Sequence, residues 1–418
     1  MLNGVVRAIP SKSQAHRALI CAAMADKPTS VVCDGGSDDI AATAECLSAL
    51  GATIERKTGA YIVHPLKREG NDGTASLPCG ESGSTFRFML PIVGALGLKA
   101  SFILKGRLSE RPLSPLYEEL VRHGAELSPQ GSVPFYASGK LAPGRYSLDA
   151  GVSSQFISGL LFALPLLDGD SELQLTGQAE SFPYIELTLA MLEIFGIQIE
   201  FKDSVFFIPG GQTYCSPGKA QVEGDWSNSA FWLGAGAVGK GSITCTGLNL
   251  QSRQGDRAIL DILAEFGASI EIKEKDSAIT VSGGKLRGIG IDARDIPDLV
   301  PVLAVVAAAS EGTTVIRNAG RLRTKESDRL AAVSAVLRGL SADANETDDG
   351  LVIHGPSSFK SAQVSSCGDH RIAMSAAIAA AICAGPVVIQ GAQAVNKSYP
   401  GFFDDLRLLG GLVEETAV

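Results

Sequence analysis

Cations and small hydroxyl residues gather in this chain at the places where helices should begin, a pairing suited to a bound anion. Arg321, Arg323 and Lys325 crowd the stretch that leads into Asp328-Arg329-Leu330. A helix start carries partial positive charge and free N–H donors, so cations there are unfavourable unless an anion joins them. Glu326 and Asp328 fill that role only in part. Similar stretches recur. Pro10-Ser11-Lys12-Ser13-Gln14-Ala15-His16-Arg17 places Lys12 and Arg17 at the opening of an apolar helix. Gly80-Glu81-Ser82-Gly83-Ser84-Thr85-Phe86-Arg87 is a turn whose small residues let backbone N–H groups approach a phosphate. Ser153-Ser154-Gln155 supplies neutral donors, Ile296-Pro297-Asp298 a carboxylate able to accept a hydroxyl proton, and Gly368-Asp369-His370-Arg371 another cation. Between them lie Arg107 to Pro112, Ser181-Phe182-Pro183-Tyr184 and Asn396-Lys397-Ser398-Tyr399-Pro400. One basic turn is ordinarily solvated, and Ser-Ser is ordinarily a cap. Their recurrence points to a site for more than one anionic group.

The rest of the chain is acidic, with net charge −9 and pI ≈ 5.2, so these cations are a local concentration. That balance argues against a protein that coats nucleic acid. A hydrophobic share of 45% and a charged share of 19% describe a compact globular protein. Eight cysteines without a C-x-x-C read as buried, reduced thiols, not as a disulfide framework or zinc site. There is no H-E-x-x-H and no Walker A sequence. Met1 to Ile9 reads as a strand, not as a signal peptide, and runs such as Leu299 to Ala309 are too short to cross a membrane. The expectation is a soluble, cytoplasmic protein without membrane or nucleic-acid partners.

Six copies of one unit position these residues. An amphipathic segment ending in glycine and followed by a β-like run recurs at Gly51, Gly124, Gly196, Gly267 and Gly410, with Ser341 in a weaker copy. The period is roughly 70 residues. A more apolar, buried helix starts earlier in each copy, near Ser11, Ser82, Ser153, Asp225, Asp298 and Asp369. With a short strand between the helices and a hairpin after the glycine, each copy reads β-α-β-α-β-β. The sixth stops after a short strand over Leu412 to Val418, and strand Val5 to Ile9 is expected to complete that last copy. The chain would thus start in the C-terminal domain, cross out, and return near Val222 to Asp225.

The motifs, in order from Ser11 to Phe403, resemble those of the 5-enolpyruvylshikimate-3-phosphate synthases. The resemblance implies an α/β fold, the two-lobed inverse α/β barrel of the enolpyruvyl transferases, with six β-α-β-α-β-β repeats, three per lobe. Residues 10–222 would form the N-terminal lobe, and 1–9 with 223–418 the C-terminal lobe, with the active site in the cleft between lobes. It implies transfer of the enolpyruvyl group of phosphoenolpyruvate to the 5-hydroxyl of shikimate 3-phosphate, with release of phosphate, by a monomer that acts on these small molecules without metal or organic cofactor. Ser153, Ser154 and Ser181 would hold the shikimate phosphate with help from Lys325, and Arg17, Ser13 and Tyr184 its carboxylate. Lys12, Gln155, Asp298 and Arg321 complete that expected set. Lys12, Arg107, Gln155, Lys397 and the Gly83 backbone would hold the phosphate of phosphoenolpyruvate, and Arg329 with Arg371 its carboxylate. Asp298, Glu326, Lys325 and Lys12 are the expected catalytic residues, with proton roles shared among the first three.

The chain departs from the family's usual pattern at Glu81, Phe88 and Arg321, the first two at the turn where the inhibitor glyphosate would place its phosphonate. The competing reading is UDP-N-acetylglucosamine enolpyruvyl transferase, whose relatives usually carry a cysteine in the loop matching Arg107 to Pro112; here there is none. A catalytically inactive anion-binding homologue would be expected to have lost Asp298, Glu326 or Lys325. RNA 3′-phosphate cyclase shares the fold type but not this acidic charge.

Overall fold

The computed structural model of the protein describes residues 1–67, 73–178 and 180–416. The chain divides into two compact units, Lys12–Val222 and a second that joins Met1–Ser11 to Glu223–Val418. Strand β1 (Gly4–Arg7) belongs to the second. The first unit then runs α1 (Lys12–Met24), β2 (Thr29–Val32), α2 (Asp38–Ala49), β3 (Thr53–Lys57), β4 (Ala60–His64), β5 (Thr74–Gly80), α3 (Gly83–Leu96), β6 (Lys99–Leu104), α4 (Leu116–Arg122), β7 (Ala125–Leu127), β8 (Phe135–Gly139), β9 (Arg145–Asp149), α5 (Ser154–Ala163), β10 (Ser171–Thr176), α6 (Phe182–Ile194), β11 (Glu200–Lys202), β12 (Val205–Ile208) and β13 (Lys219–Gln221). Its three sheets share one order, β13-β2-β4-β3, β5-β6-β8-β7 and β9-β10-β12-β11. In each, a leading strand runs parallel to the second and an antiparallel hairpin completes the sheet.

The second unit continues with α7 (Trp226–Val238), β14 (Ser242–Thr246), α8 (Ile259–Phe266), β15 (Ser269–Lys273), β16 (Ala278–Ser282), β17 (Gly290–Asp292), α9 (Val300–Ala309), β18 (Gly312–Arg317), α10 (Arg329–Gly339), β19 (Asp343–Glu346), β20 (Leu351–Gly355), β21 (Ala362–Ser365), α11 (His370–Ala380), β22 (Val387–Gln390) and α12 (Phe402–Leu408). Sheets β1-β14-β16-β15 and β17-β18-β20-β19 repeat the same order, and β21 pairs with β22 alone among the described strands.

The helices α1, α3, α5, α7, α9 and α11 are buried along nearly their whole length, as their apolar sequences require. They pack closely. A Cβ at Gly159 of α5 would lie 2.4 Å from the carbonyl oxygen of Arg87 on α3, so only glycine admits that approach. The residues after the amphipathic helices, Gly51, Gly124, Gly196, Gly267, Ser341 and Gly410, all have positive φ, with Ser341 at 72°. Five glycines and one serine therefore perform the same C-terminal turn.

Strand β1 does not complete the sixth copy. It pairs parallel with β14, Gly4 opposite Ile243 through Arg7 opposite Thr246, and so leads the fourth. The strand that precedes α7, β13, has gone instead to β2 of the first copy. The fourth sheet is thereby left an edge at β14, which β1 fills with Val6 buried toward the core. No strand forms over residues 412–416, and 417 and 418 lie outside the described residues. The cysteines are free thiols, but Cys215 and Cys367 are exposed, contrary to the expectation that all are buried.

Candidate active site

In the second unit two of the expected catalytic residues, Asp298 and Glu326, meet on one arginine, Arg329. Asp298 sits in a single 3-10 turn, Pro297–Leu299, ahead of α9, and it does not cap that helix. Its carboxylate instead accepts from two arginines: Arg329 Nη1 at 2.8 Å on Oδ1, and Arg371 Nη2 at 2.8 Å on Oδ2. Arg329 opens α10, and its fork reaches two further carboxylates, Glu326 Oε2 at 2.7 Å from Nη2 and Asp369 Oδ2 at 2.8 Å from Nε. Asp369 caps α11, accepting from Arg371 N at 2.9 Å, and also accepts from Ser327 Oγ at 3.1 Å. Burial opposes the charge on Arg329, but Asp369, Glu326 and Asp298 outweigh it and raise its pKa. The Arg329 and Arg371 forks thus already share one carboxylate, that of Asp298.

Not all of the cation-rich stretch faces this cluster. Arg323 donates to Asp328 at 2.9 Å, to Glu346 at 3.0 Å and to the carbonyl of Thr347 at 2.7 Å, which ties it to β19. Asp328 caps α10, accepting from Ala331 N at 3.0 Å. Arg321 Nη2 donates to the carbonyl of Arg294, while Lys325 is half-buried beside Glu326 in sequence. Lys397 Nζ lies 3.4 Å from the carbonyl of Gly368, ahead of α11. Asp256 is fully buried, accepts from Ser227 Oγ, and has Asp298 and Arg371 as charged neighbours. Burial first, then the carboxylate of Asp298, pushes its pKa up to about 7.

In the first unit, Lys12 Nζ donates to Asp39 Oδ2 at 2.8 Å, at the start of α2. The Arg17 guanidinium is buried and directed inward, donating to Thr188 Oγ1 at 2.8 Å and to the carbonyls of Ser13 at 2.7 Å and Tyr184 at 2.8 Å. Burial pulls its pKa down to about 10. Phe88, one of the departures, lies 5.2 Å beneath it as a cation–π floor. Ser153 caps α5, accepting from Gln155 N at 3.3 Å, with Ser154 following it in the helix. Ser181 stands ahead of α6 with φ 56°, a conformation costly for a side-chain-bearing residue. Gln155 links two helix starts, accepting from Arg87 Nη1 at 2.9 Å and donating to Ser84 Oγ at 2.9 Å.

The glycine turn carries cations that were not in the expected set. A Cβ at Gly83 would meet Arg111 Nη1 at 2.7 Å and Arg87 Nη1 at 2.9 Å. Arg107 is exposed and pairs with Glu110 at 3.5 Å on the surface. Glu81 packs its carboxylate against Gly106, whose added Cβ would lie 2.6 Å from Glu81 Cδ. Arg87 and Arg111 both stood inside motifs legible in the sequence, but spacing within a loop does not tell which cation turns inward. Asp39 and Asp256 carried no such signal.

Among the described residues no group of three or more His, Cys, Asp or Glu side chains could hold a metal ion. No described helix is long and apolar enough to cross a membrane.

The fold is that of the enolpyruvyl transferases. An EPSP synthase from Acinetobacter baumannii superposes with TM-score 0.81 at 26% identity, covering 98% of this chain and 96% of that one. The enolpyruvyl transferase NikO from Streptomyces tendae superposes with TM-score 0.78 at 19% identity, covering 98% and 95%, a likeness of fold alone. Residues 1–406 match the family EPSP synthase (3-phosphoshikimate 1-carboxyvinyltransferase). A 3-phosphoshikimate 1-carboxyvinyltransferase of Clostridium kluyveri is 44% identical over 426 residues, covering 100% of this chain and 97% of its own. That of Clostridium acetobutylicum is 44% identical over 419 residues, covering 99% and 96%. The chain belongs to the EPSP synthase family.

Proposed function

We propose that this chain transfers the enolpyruvyl group of phosphoenolpyruvate to the 5-hydroxyl of shikimate 3-phosphate, giving 5-enolpyruvylshikimate 3-phosphate and phosphate. The observation that carries this reading is the junction of Asp298 with Arg329 and Arg371, with Glu326 on the same arginine fork. Two forks of fixed donors suit a carboxylate. Here they hold one protein carboxylate, that of Asp298.

That junction and membership of the family support the following assignment of residues. Arg329 and Arg371 take the phosphoenolpyruvate carboxylate. Lys12, Gln155, Lys397, Arg107 and the Gly83 backbone take its phosphate, and Arg87 and Arg111 join them on the geometry of the turn. Ser153, Ser154, Ser181, Lys325 and Arg321 take the shikimate phosphate, and Arg17, Ser13 and Tyr184 orient its carboxylate. As the 5-oxygen bonds to C2 its proton passes to Asp298, and C3 gains a proton from Glu326 or Lys325. The tetrahedral intermediate then gives up a C3 proton as the C2–O bond to phosphate breaks. Orientation and preformed charge supply most of the acceleration. The chain acts as a cytoplasmic monomer on small molecules, a reading its acidic composition supports.

The test is release of inorganic phosphate from shikimate 3-phosphate and phosphoenolpyruvate without added metal. UDP-N-acetylglucosamine in place of the shikimate ester should give no turnover. Turnover only with that sugar would overturn the assignment.

A further inference from the structure

Helix α2 carries none of the residues assigned to substrate, yet it touches two helices that do, α1 and α3. Asp39 accepts from Lys12 of α1 at 2.8 Å. One turn further along each helix, Thr43 Oγ1 meets His16 Nδ1 at 2.6 Å. Thr43 Oγ1 also meets Thr85 Oγ1 of α3 at 2.6 Å, and Thr85 Oγ1 donates to Ser82 Oγ at 2.8 Å. Ser82 caps α3 directly before Gly83. His16, Thr43, Thr85 and Ser82 are all buried.

The Thr85-to-Ser82 bond sets the direction of the other links. A hydroxyl has one proton to give. Thr85 spends its proton on Ser82, so it must accept from Thr43. Thr43 has then spent its own, so it must accept from His16. His16 is therefore the Nδ1–H tautomer, and its Nε2, buried and without a hydrogen-bond partner among the described residues, is the bare nitrogen. Protonating that nitrogen would bury a cation close to Lys12 and Arg17, and burial together with those two charges holds the imidazole neutral.

We infer that the chain His16–Thr43–Thr85–Ser82 is a positioning device that fixes the start of α3, with Gly83 and Arg87, against Lys12 on α1. The inference rests on the reading that the glycine turn and Lys12 together hold the phosphate of phosphoenolpyruvate. Reversing one link leaves two buried protons facing each other, and reversing all of them leaves a buried His16 Nε2–H without an acceptor among the described residues, so one arrangement is favoured. It thus sets one spacing between the cations of α1 and the donors of the turn. None of its hydroxyls needs to touch substrate.

Thr43→Val and Thr85→Val break the chain with little change of volume. Each should raise the KM for phosphoenolpyruvate by about three- to tenfold, the change supported by one neutral hydrogen bond. The KM for shikimate 3-phosphate should stay within about twofold, as a local effect on one substrate requires. Thr85→Ser keeps the hydroxyl and should restore the value. If the valine variants lower the melting temperature but leave the phosphoenolpyruvate KM unchanged, the device is structural only and the inference is overturned. Gly83→Ala then shows whether the underlying reading falls with it. A raised KM there leaves the turn as the phosphate site, and an unchanged one removes it. A second measurement needs no variant that must fold: nitrogen-15 NMR of histidine in the unmodified protein should show His16 as the Nδ1–H tautomer. An Nε2–H tautomer would make Thr43 donate to His16, against the direction set by Thr85, and overturn the inference.

Discussion

Replacing Arg329 by lysine keeps the charge and removes the fork, so it isolates what the fork contributes. Three nitrogens of Arg329 reach three different carboxylates, Asp298, Glu326 and Asp369, at 2.7–2.8 Å, from a side chain that is only 2% exposed. A lysine ammonium presents its donors from a single nitrogen and cannot occupy three positions spread around a planar fork. Two charge-assisted bonds should be lost, at about 1.5–3 kcal/mol each, or about 3–6 kcal/mol together. That agrees with the ~3–5 kcal/mol typical of breaking a buried ion pair. The protein carries its own reporter. Both tryptophans, Trp226 and Trp232, are buried in α7 of the same unit, so their fluorescence in urea follows that unit. With a slope of about 3 kcal/mol per molar, the midpoint should fall by about 1–2 M. Arg407→Lys, at an exposed pair with Asp404, should change stability by less than about 1 kcal/mol. A midpoint for Arg329→Lys no lower than that of Arg407→Lys would refute the reasoning. The carboxylates would then have other means of holding their charge.

Arg371→Lys should weaken phosphoenolpyruvate by about 1.5–3 kcal/mol and shikimate 3-phosphate much less, measured as separate KM values. Asp256 has its pKa raised to about 7 in the folded protein, so its contribution to stability is full below the ordinary carboxylate value and is lost as pH rises toward 7. Asp256→Asn should therefore raise the urea midpoint at pH 8 relative to wild type by more than it does at pH 4. Ser341→Gly should stabilise the second unit by about 0.5–1 kcal/mol in the same fluorescence assay, because it relieves a left-handed side chain at the cost of glycine's extra chain entropy. Glyphosate should compete with phosphoenolpyruvate. Gly83→Ala, by displacing Arg87 and Arg111 at a cost of about 1–3 kcal/mol, should raise the inhibition constant further than the KM.

The sequence disclosed the starts of the helices better than the partners of their side chains. Ser82, Ser153, Asp225 and Asp369 each stand where a helix start was expected, and each caps its helix by accepting from a backbone N–H near that start. A cap is a local device, so local sequence specifies it. Asp298 differs. It has the composition of a cap but lies in a 3-10 turn, and its carboxylate goes to arginines 31 and 73 positions away. No local rule carries that information. The same distinction separates Arg323 from Arg329. Both precede or open α10, yet one is tied to β19 on the surface and the other is buried among three carboxylates. Repeats were legible because each copy must bury its own apolar helix, and even the weak copy at Ser341 adopts the positive φ of its glycine counterparts. What repetition could not show is that β1 and β13 each lead the sheet of the other's repeat. A leading strand has the same pattern whichever equivalent edge it joins, so the choice is made by the connections at Ile9 and Glu223. There Asp225 N donates to the carbonyl of Ile9 at 2.7 Å, and Ser11 N donates to that of Glu223 at 2.8 Å. The residues most hidden from the sequence, Asp39, Thr43 and Asp256, share one property. Each acts on a helix start from a different element, so their significance exists only once those elements have been folded against one another.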